Sequence, residues 1–108
     1  MLKIKGILVS KLDIDQKNSL YYEFEEGKKN NYTYVFVNAL TGNTSAWNGI
    51  IGKRVKYAGH GYLTYNFRGQ INSSFDESIN LTSEIIISDL LKLIAVSYTH
   101  LTLPTRAQ

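Results

Sequence analysis

The side chains that could do catalytic chemistry are few in this sequence, and they form no recognisable catalytic motif. His60 stands between two glycines, as expected for a turn between a helix and a strand. Ser73 and Ser74 follow an Arg-Gly pair and are predicted to make loop hydrogen bonds rather than to act as nucleophiles. His60 and His100 lie far apart in unlike segments, and there is no cysteine. The motifs therefore predict no catalytic residue, no metal site and no cofactor.

Composition and charge favour a soluble globular domain. The 108 residues are 44% apolar and 19% charged, with a net charge of +3 and a pI near 9.1. Acidic residues interleave with the basic ones, which indicates a solvated surface rather than a nucleic-acid-binding face. No apolar run reaches the roughly 20 residues of a membrane span, and the N-terminus lacks the apolar region of a signal peptide. We expect a cytoplasmic protein that binds neither nucleic acid nor membrane.

The apolar pattern predicts an α/β fold in which a β-hairpin precedes a strand-helix-strand-helix unit. Strands are expected over residues 4–14 and 20–24, with a turn at 15–18 between them. The nearly continuous apolar run 32–37 is typical of a strand covered on both faces. A helix over 45–58 and a strand over 61–67 follow, so that this strand pair should be parallel with a right-handed helical crossover.

Both helices carry signals for their ends and their buried faces. Thr44 or Ser45 is predicted to cap the first helix, and Gly59 is predicted to end it. Its apolar stripe should comprise Trp47, Ile50, Ile51, Val55 and Ala58. The second helix should run from Ser83 to about Ile94 with Thr82 as its cap. Because it is apolar nearly all round, it should be buried.

Several short motifs, taken in order, resemble the N-terminal portion of the α/β-hydrolase superfamily. Each is weak alone, but the series covers residues 1 to about 94. That family opens with a β-hairpin and a strand ending in a His-Gly or Asn-Gly turn, and later has a strand ending in Arg-Gly-x-Gly-x-Ser. The corresponding pieces here are Leu20-Tyr21-Tyr22-Glu23, Val35-Phe36-Val37-Asn38-Ala39-Leu40-Thr41-Gly42, Ala46-Trp47, Tyr65-Asn66-Phe67-Arg68-Gly69-Gln70, Asn72-Ser73, Leu81-Thr82 and Asp89-Leu90-Leu91.

Two positions depart from the pattern of that family. Ala39 stands where glycine is commonest, and Ile71 stands where the second glycine of Arg-Gly-x-Gly is expected. Glycine tolerates positive φ and close backbone approach better than alanine or isoleucine does. The run from Ala39 to Gly42 is also similar to the His-Ala-Leu-Thr-Gly turn of homoserine O-acetyltransferases, which share the fold. This similarity leaves acyl transfer open as an alternative to hydrolysis.

The resemblance implies a truncated α/β-hydrolase fold with an incomplete, mostly parallel sheet. Residues 32–37 would correspond to the third strand of that family, and this strand would lie at an unpaired edge of the sheet. It also implies a serine esterase or lactonase chemistry in the parent protein, acting on a small-molecule acyl substrate. The Leu40 backbone N–H is the oxyanion-hole candidate, with Asn38 and Ala39 shaping the turn. No G-x-S-x-G occurs in the chain, so nucleophile, acid and histidine are absent and the chain should be inactive.

Residues 96–105 do not resemble that family. The codons GTC TCT TAT ACA CAT CTG ACG CTG CCG ACG encode these ten residues and resemble the transposase adapter of sequencing libraries. We therefore interpret 1–95 as the N-terminal part of a hydrolase domain and 96–108 as a non-native tail from adapter read-through. Two alternatives stay open: a genuine strand in the tail, and a complete non-enzymatic interaction module. Substrate, lid domain and oligomeric state are not predicted.

Overall fold

The computed structural model describes residues 2–4, 7–28, 31–39 and 42–101, and the chain divides into two compact units, Met1–Asp76 and Glu77–Gln108. The first unit contains one five-stranded sheet, with the strands in the order β1-β2-β3-β5-β4. The strands are β1 (Leu2–Ile4), β2 (Ile7–Asp13), β3 (Ser19–Glu25), β4 (Thr33–Phe36) and β5 (Gly61–Tyr65). The helices are α1 (Ser45–Asn48), α2 (Ile50–Tyr57) and, in the second unit, α3 (Ser83–Leu101).

The predicted parallel pair is present, since β4 pairs with β5 in parallel from Thr33–Gly61 to Phe36–Thr64. The expectation of a mostly parallel sheet is wrong for the described strands. The pairs β1–β2, β2–β3 and β3–β5 are all antiparallel. The short connections of β1–β2 and β2–β3 permit only antiparallel pairing, and the helical crossover from β4 to β5 is long enough for parallel pairing. β3 and β5 are not consecutive in the chain, and β5 runs antiparallel to β3. The sheet is therefore mixed, within an α/β architecture.

The N-terminal part of the sheet has one strand more than predicted. The expected strand over 4–14 is two strands, β1 and β2, which pair with each other as an antiparallel hairpin. The predicted turn between β2 and β3 is confirmed, because the Asp15 carboxylate accepts hydrogen bonds from the backbone N–H groups of Lys17 at 2.8 Å and Asn18 at 3.0 Å. These bonds stabilise the charged carboxylate and lower the pKa of Asp15.

The connection between β4 and β5 is not one helix, because it breaks at Gly49 into α1 and α2. Thr44 makes no side-chain capping bond; instead the Asn43 side-chain oxygen accepts from the Ser45 N–H at 2.9 Å. The predicted apolar stripe is wrong in part, since Ile50 is 77% and Ile51 45% exposed. The break at Gly49 changes the rotation of α2, so the stripe read for a continuous helix does not face the sheet.

We call α1 and α2, which join β4 to β5, the helical connection. Its close packing on the sheet depends on aromatic rings and one glycine. Trp47 of α1 stacks on Phe36 of β4, with ring centroids 4.9 Å apart and planes within 10°. Gly52 of α2 is buried against the Tyr62 ring of β5, which a Cβ atom at position 52 would approach to 3.4 Å. The same Cβ would lie 2.7 Å from the Trp47 carbonyl oxygen. Glycine at this position therefore lets α2 approach β5.

The predicted end of the helical connection is confirmed. Gly59 has φ +88°, and its N–H donates to the Lys56 carbonyl at 2.8 Å. The His60 N–H donates to the Val55 carbonyl at 3.0 Å. These two bonds form a Schellman motif, which requires a left-handed residue after the helix and so favours glycine.

One face of the central strands forms the apolar core of the first unit. β5 is buried along its whole length, as expected for a strand with neighbours on both sides. The pairs Phe24–Leu63 and Tyr22–Tyr65 place these four side chains on one face. The alternate side chains of β3, which include Glu23 and Glu25, lie on the opposite face. That opposite face is the one on which α1 and α2 pack.

The second unit consists mainly of α3, which extends to Leu101 rather than ending near Ile94. Its predicted cap is confirmed, since the Thr82 hydroxyl oxygen accepts from the Ile85 N–H at 3.2 Å. Burial all round the helix is wrong, because Ile87 and Leu91 are exposed. The strand alternative for the tail is also wrong over 96–101, which are helical and precede Pro104, the only proline and first strong helix breaker. The rest of the tail, 102–108, lies outside the described residues.

Within the part of the chain that the structure describes, no helix is long and apolar enough to cross a membrane.

The packing of α2 predicts that Gly52→Ala destabilises the first unit by about 1–3 kcal/mol, because the new methyl group meets backbone and ring atoms. This loss should occur although alanine has the higher helix propensity. Ile50→Ala is the control, since Ile50 of the same helix is 77% exposed and its truncation should change stability by less than about 0.5 kcal/mol. Urea unfolding measures both variants. Equal stability of the two would contradict the close contact at Gly52.

Candidate functional site

The candidate site is the pair of loops that follow β4 and β5, residues 37–44 and 66–73. Parallel strands end at the same edge of a sheet, so these loops are neighbours. In open α/β sheets, ligands bind outside the carboxyl ends of the parallel strands. The site residues predicted from the sequence, Asn38, Ala39 and Leu40, all belong to the first loop.

Asn38 is the central residue of the site and is only 7% exposed. Its side-chain nitrogen donates to the Tyr65 carbonyl oxygen at 2.6 Å and to the Asn66 side-chain oxygen at 3.1 Å. A third contact, to the Gln70 side-chain oxygen, is 3.3 Å long. Its own side-chain oxygen accepts from the Trp47 indole N–H at 2.6 Å. The Asn38 amide therefore joins the end of β4 to the β5 loop and to α1.

Asn66 occupies the corresponding position after β5 and is buried. Its side-chain oxygen accepts from the Thr44 backbone N–H at 2.9 Å, directly before α1. Its side-chain nitrogen donates to the Ile71 carbonyl at 2.7 Å. The two asparagines therefore hold three segments together: both loops and the start of α1.

Gln70 closes the site from the side of the second loop. Its side-chain oxygen accepts from the Phe67 N–H at 2.7 Å, and its side-chain nitrogen donates to the Ala39 carbonyl at 3.1 Å. The Ala39 carbonyl also accepts from the Gly42 N–H at 2.9 Å, which closes a four-residue turn. Leu40, the oxyanion-hole candidate, follows Ala39 in the sequence and lies outside the described residues. Its assignment stays a prediction.

The two departures from the hydrolase pattern do not strain the described backbone. The left-handed conformations of the second loop fall on Gly69, with φ +86°, and on Asn72, with φ 63°. Asparagine is among the residues that tolerate this region best. Neither Ala39 nor Ile71 adopts positive φ, and the Ile71 side chain is exposed. Alanine at 39 and isoleucine at 71 are therefore compatible with the backbone conformation of the two loops.

The two serines of the second loop have structural roles, as predicted. The Ser73 hydroxyl donates to the Asn66 carbonyl at 2.9 Å and accepts from the Tyr21 N–H at 2.8 Å. The Ser74 hydroxyl lies 2.9 Å from that of Ser19, and the Ser74 N–H donates to the Ser19 hydroxyl at 3.1 Å. These bonds fasten the second loop to β3. In these bonds among the described residues, neither serine has a histidine as its partner, which is the arrangement that activates a serine nucleophile.

His60 lies away from the candidate site, directly before β5, whereas Asn66 directly follows that strand. At about 3.3 Å per residue, β5 separates the two by roughly 15–20 Å. The His60 Nδ1 atom accepts from the Tyr32 N–H at 3.2 Å, and its ring contacts those of Tyr32 and Tyr34 at 5.5 Å each. His60 is therefore a partnered turn residue. The side chain of His100 lies outside the described residues.

A buried carboxylate next to the site was not predicted from the sequence. Glu23 of β3 accepts hydrogen bonds from the Tyr21 hydroxyl at 2.6 Å and the Asn48 amide at 2.8 Å. A longer contact of 3.4 Å comes from the Thr44 hydroxyl. Burial, followed by the hydrogen bond to Glu23, raises the pKa of Tyr21 and so keeps its hydroxyl protonated as a donor. Glu23 therefore fastens the start of α1 to the sheet.

A second carboxylate on the same face has a cationic partner. Glu25 is buried and forms an ion pair with Lys56 of α2 at 3.1 Å. Tyr62 lies directly opposite Glu25 in the β3–β5 pair. Burial, then the charges of Glu25 and Glu23, raise the pKa of Tyr62. The face beneath α1 and α2 is therefore polar at its centre, with its carboxylates bound by donors from the helical connection.

No family model, curated protein or solved structure matches this chain.

The network predicts that Asn38→Ala destabilises the first unit by about 1–3 kcal/mol, because the Trp47 indole N–H and the buried Tyr65 carbonyl lose their partner. Urea unfolding measures the loss. Gln16→Ala, in the exposed turn before β3, is the control and should change stability by less than about 0.5 kcal/mol. An Asn38→Ala effect as small as that of the control would contradict the network.

Proposed function

We propose that this chain is the N-terminal part of a serine hydrolase of the α/β-hydrolase fold, which acts on esters, lactones or similar small acyl substrates. The nucleophile, acid and histidine belong to later parts of that fold, so the chain by itself is catalytically inactive. The parent enzyme needs no metal or cofactor, acts in the cytoplasm, and binds neither nucleic acid nor membrane.

The observation that carries the proposal is the hydrogen bonding of Asn38 and Ala39, the residues that precede Leu40. Asn38 binds the β5 loop and Trp47, and Gln70 binds the Ala39 carbonyl. An oxyanion hole needs backbone donors that are held in place before the reaction begins. The described neighbours of Leu40 in sequence support this role, because Asn38 and Ala39 are hydrogen-bonded to the β5 loop at the carboxyl end of a parallel strand. The Leu40 N–H then supplies one of the two donors.

The element order supports the same proposal. β4, the helical connection and β5 form a parallel crossover, and the antiparallel β2–β3 hairpin extends the sheet on the far side of β5. β4 is the outermost strand, where a further parallel strand can add to the sheet. In this fold the nucleophile lies on a strand-to-helix turn, and its following N–H supplies the second donor of the oxyanion hole. A nucleophile turn after a strand beside β4 would face the Asn38 turn.

Acyl transfer on the same fold is the alternative, and it uses the same turn. The run from Ala39 to Gly42 resembles that of homoserine O-acetyltransferases, and the Gly42 N–H bond to the Ala39 carbonyl closes this turn. Both chemistries need an oxyanion hole and differ in the acceptor of the acyl group. The parent protein separates them, because a transferase forms product only when an acceptor alcohol is added.

The nucleotide sequence of the source locus beyond the codon for Ile94 tests the proposal. We expect the reading frame to continue into a strand and a G-x-S-x-G motif. The protein translated from that frame should hydrolyse p-nitrophenyl esters, and the 108-residue chain should not. A locus that encodes residues 96–108 followed by a stop codon, or esterase activity of the 108-residue chain, would contradict the proposal.

Leu40→Pro in that longer protein tests the oxyanion donor, because proline has no N–H. We expect kcat to fall about 10²–10³-fold. Leu40→Ala, which keeps the N–H, is the matched control and should retain most of the activity. Equal loss in both variants would assign the effect to the side chain instead.

A further inference from the structure

The outer edge of β4 carries no charge. The strand is the last in the sheet, and no Asp, Glu, Lys or Arg occurs between Lys29 and Lys53. Natural proteins block open edges with charges, prolines or bulges, and an edge without them pairs readily with another strand. The described part of β4 has neither a charge nor a proline.

The backbone pattern shows which groups of β4 point outward. The Tyr32 carbonyl accepts from the Gly61 N–H at 2.9 Å and therefore faces β5. Backbone direction alternates along a strand, so Tyr34 and Phe36 also direct their N–H and C=O groups towards β5. The groups of Thr33 and Val35 then point away from the sheet, as do those of Val37 directly after the strand. These are the groups available to another chain.

We propose that β4 of the 108-residue chain pairs antiparallel with β4 of a second copy, about a two-fold axis at Val35, on the edge that a further strand would occupy in the proposed parent enzyme. In this register, Val35 lies opposite Val35 of the partner subunit, and Thr33 lies opposite Val37 of the partner subunit. All three residues direct their backbone groups outward, so each pair exchanges two hydrogen bonds. The two sheets become one continuous sheet with a closed, isologous interface.

Side chains in this register suit each other. Tyr34, which is 43% exposed, lies opposite Phe36 of the partner subunit, and aromatic cross-strand pairs stabilise antiparallel sheets. No like charges meet at the axis, although each chain has a net charge of +3. A second copy therefore fits this edge without the repulsion that a charged strand would cause. A single strand pair buries less surface area than the interface of most stable dimers. The dimer is therefore weak, and its fraction rises with protein concentration.

Val35→Lys tests the interface by placing two ammonium groups opposite each other at the axis. Sedimentation velocity over a range of concentrations should show a monomer–dimer equilibrium for the unaltered chain. We expect the variant to have a dissociation constant about tenfold higher or more, since like charges directly opposite destabilise a strand pair. Ile51→Lys is the matched control, because Ile51 is 45% and Val35 37% exposed, and it should leave the equilibrium unchanged.

Amide hydrogen exchange of the unaltered chain gives a second measurement that does not depend on a variant folding. The Val35 N–H should exchange more slowly as concentration rises, whereas the Tyr34 N–H, bonded within the sheet, should be protected at every concentration. A chain that is monomeric throughout would overturn the proposal. So would assemblies that grow beyond a dimer, or equal weakening by Val35→Lys and Ile51→Lys. If Val35→Lys does not fold, the concentration dependence of Val35 exchange decides.

Discussion

The rest of the first unit depends on one buried side-chain amide. Asn38 lies two residues after β4, and its two polar atoms reach the end of β5, the β5 loop and the indole of Trp47. Buried amide groups cost free energy unless their bonds are made, so the partners must stay together in the folded chain. Because Trp47 also stacks on Phe36, the same contacts fix where the helical connection crosses the sheet.

The sheet face beneath α1 and α2 has polar side chains at its centre, and the start of α1 supplies hydrogen-bond donors to them. Glu23 and Asn66 lie beneath the start of α1 and bind Asn48 and the Thr44 N–H, respectively. Burial without partners would cost a carboxylate several kcal/mol, so its donors must come from the segment that covers it. The connection from β4 to β5 is thus held by hydrogen bonds at its beginning and by ring and glycine packing further along.

The sequence was sufficient to predict the parallel pair, because the apolar run at 32–37 and the helix end at Gly59 are local signals. It was not sufficient for the mixed sheet, since the antiparallel β3–β5 pair joins segments that are distant in the sequence. The site was predicted only as a turn. Its side-chain partners, Asn66 and Gln70, were missed, although an asparagine lies within two residues of the end of each parallel strand and this repetition was readable. Glu23 gave no such signal, because glutamate in a strand ordinarily faces solvent.

The chain contains one tryptophan, so its indole N–H gives one resonance in a ¹⁵N correlation spectrum. That proton is bonded to the Asn38 side-chain oxygen at 2.6 Å. Its exchange rate with water tests most directly whether the Asn38 amide organises the unit. The network predicts exchange at least about tenfold slower than that of a free indole, because the bond must open first. Exchange as fast as that of free indole would show that Asn38 does not hold Trp47, and would contradict the account of the site.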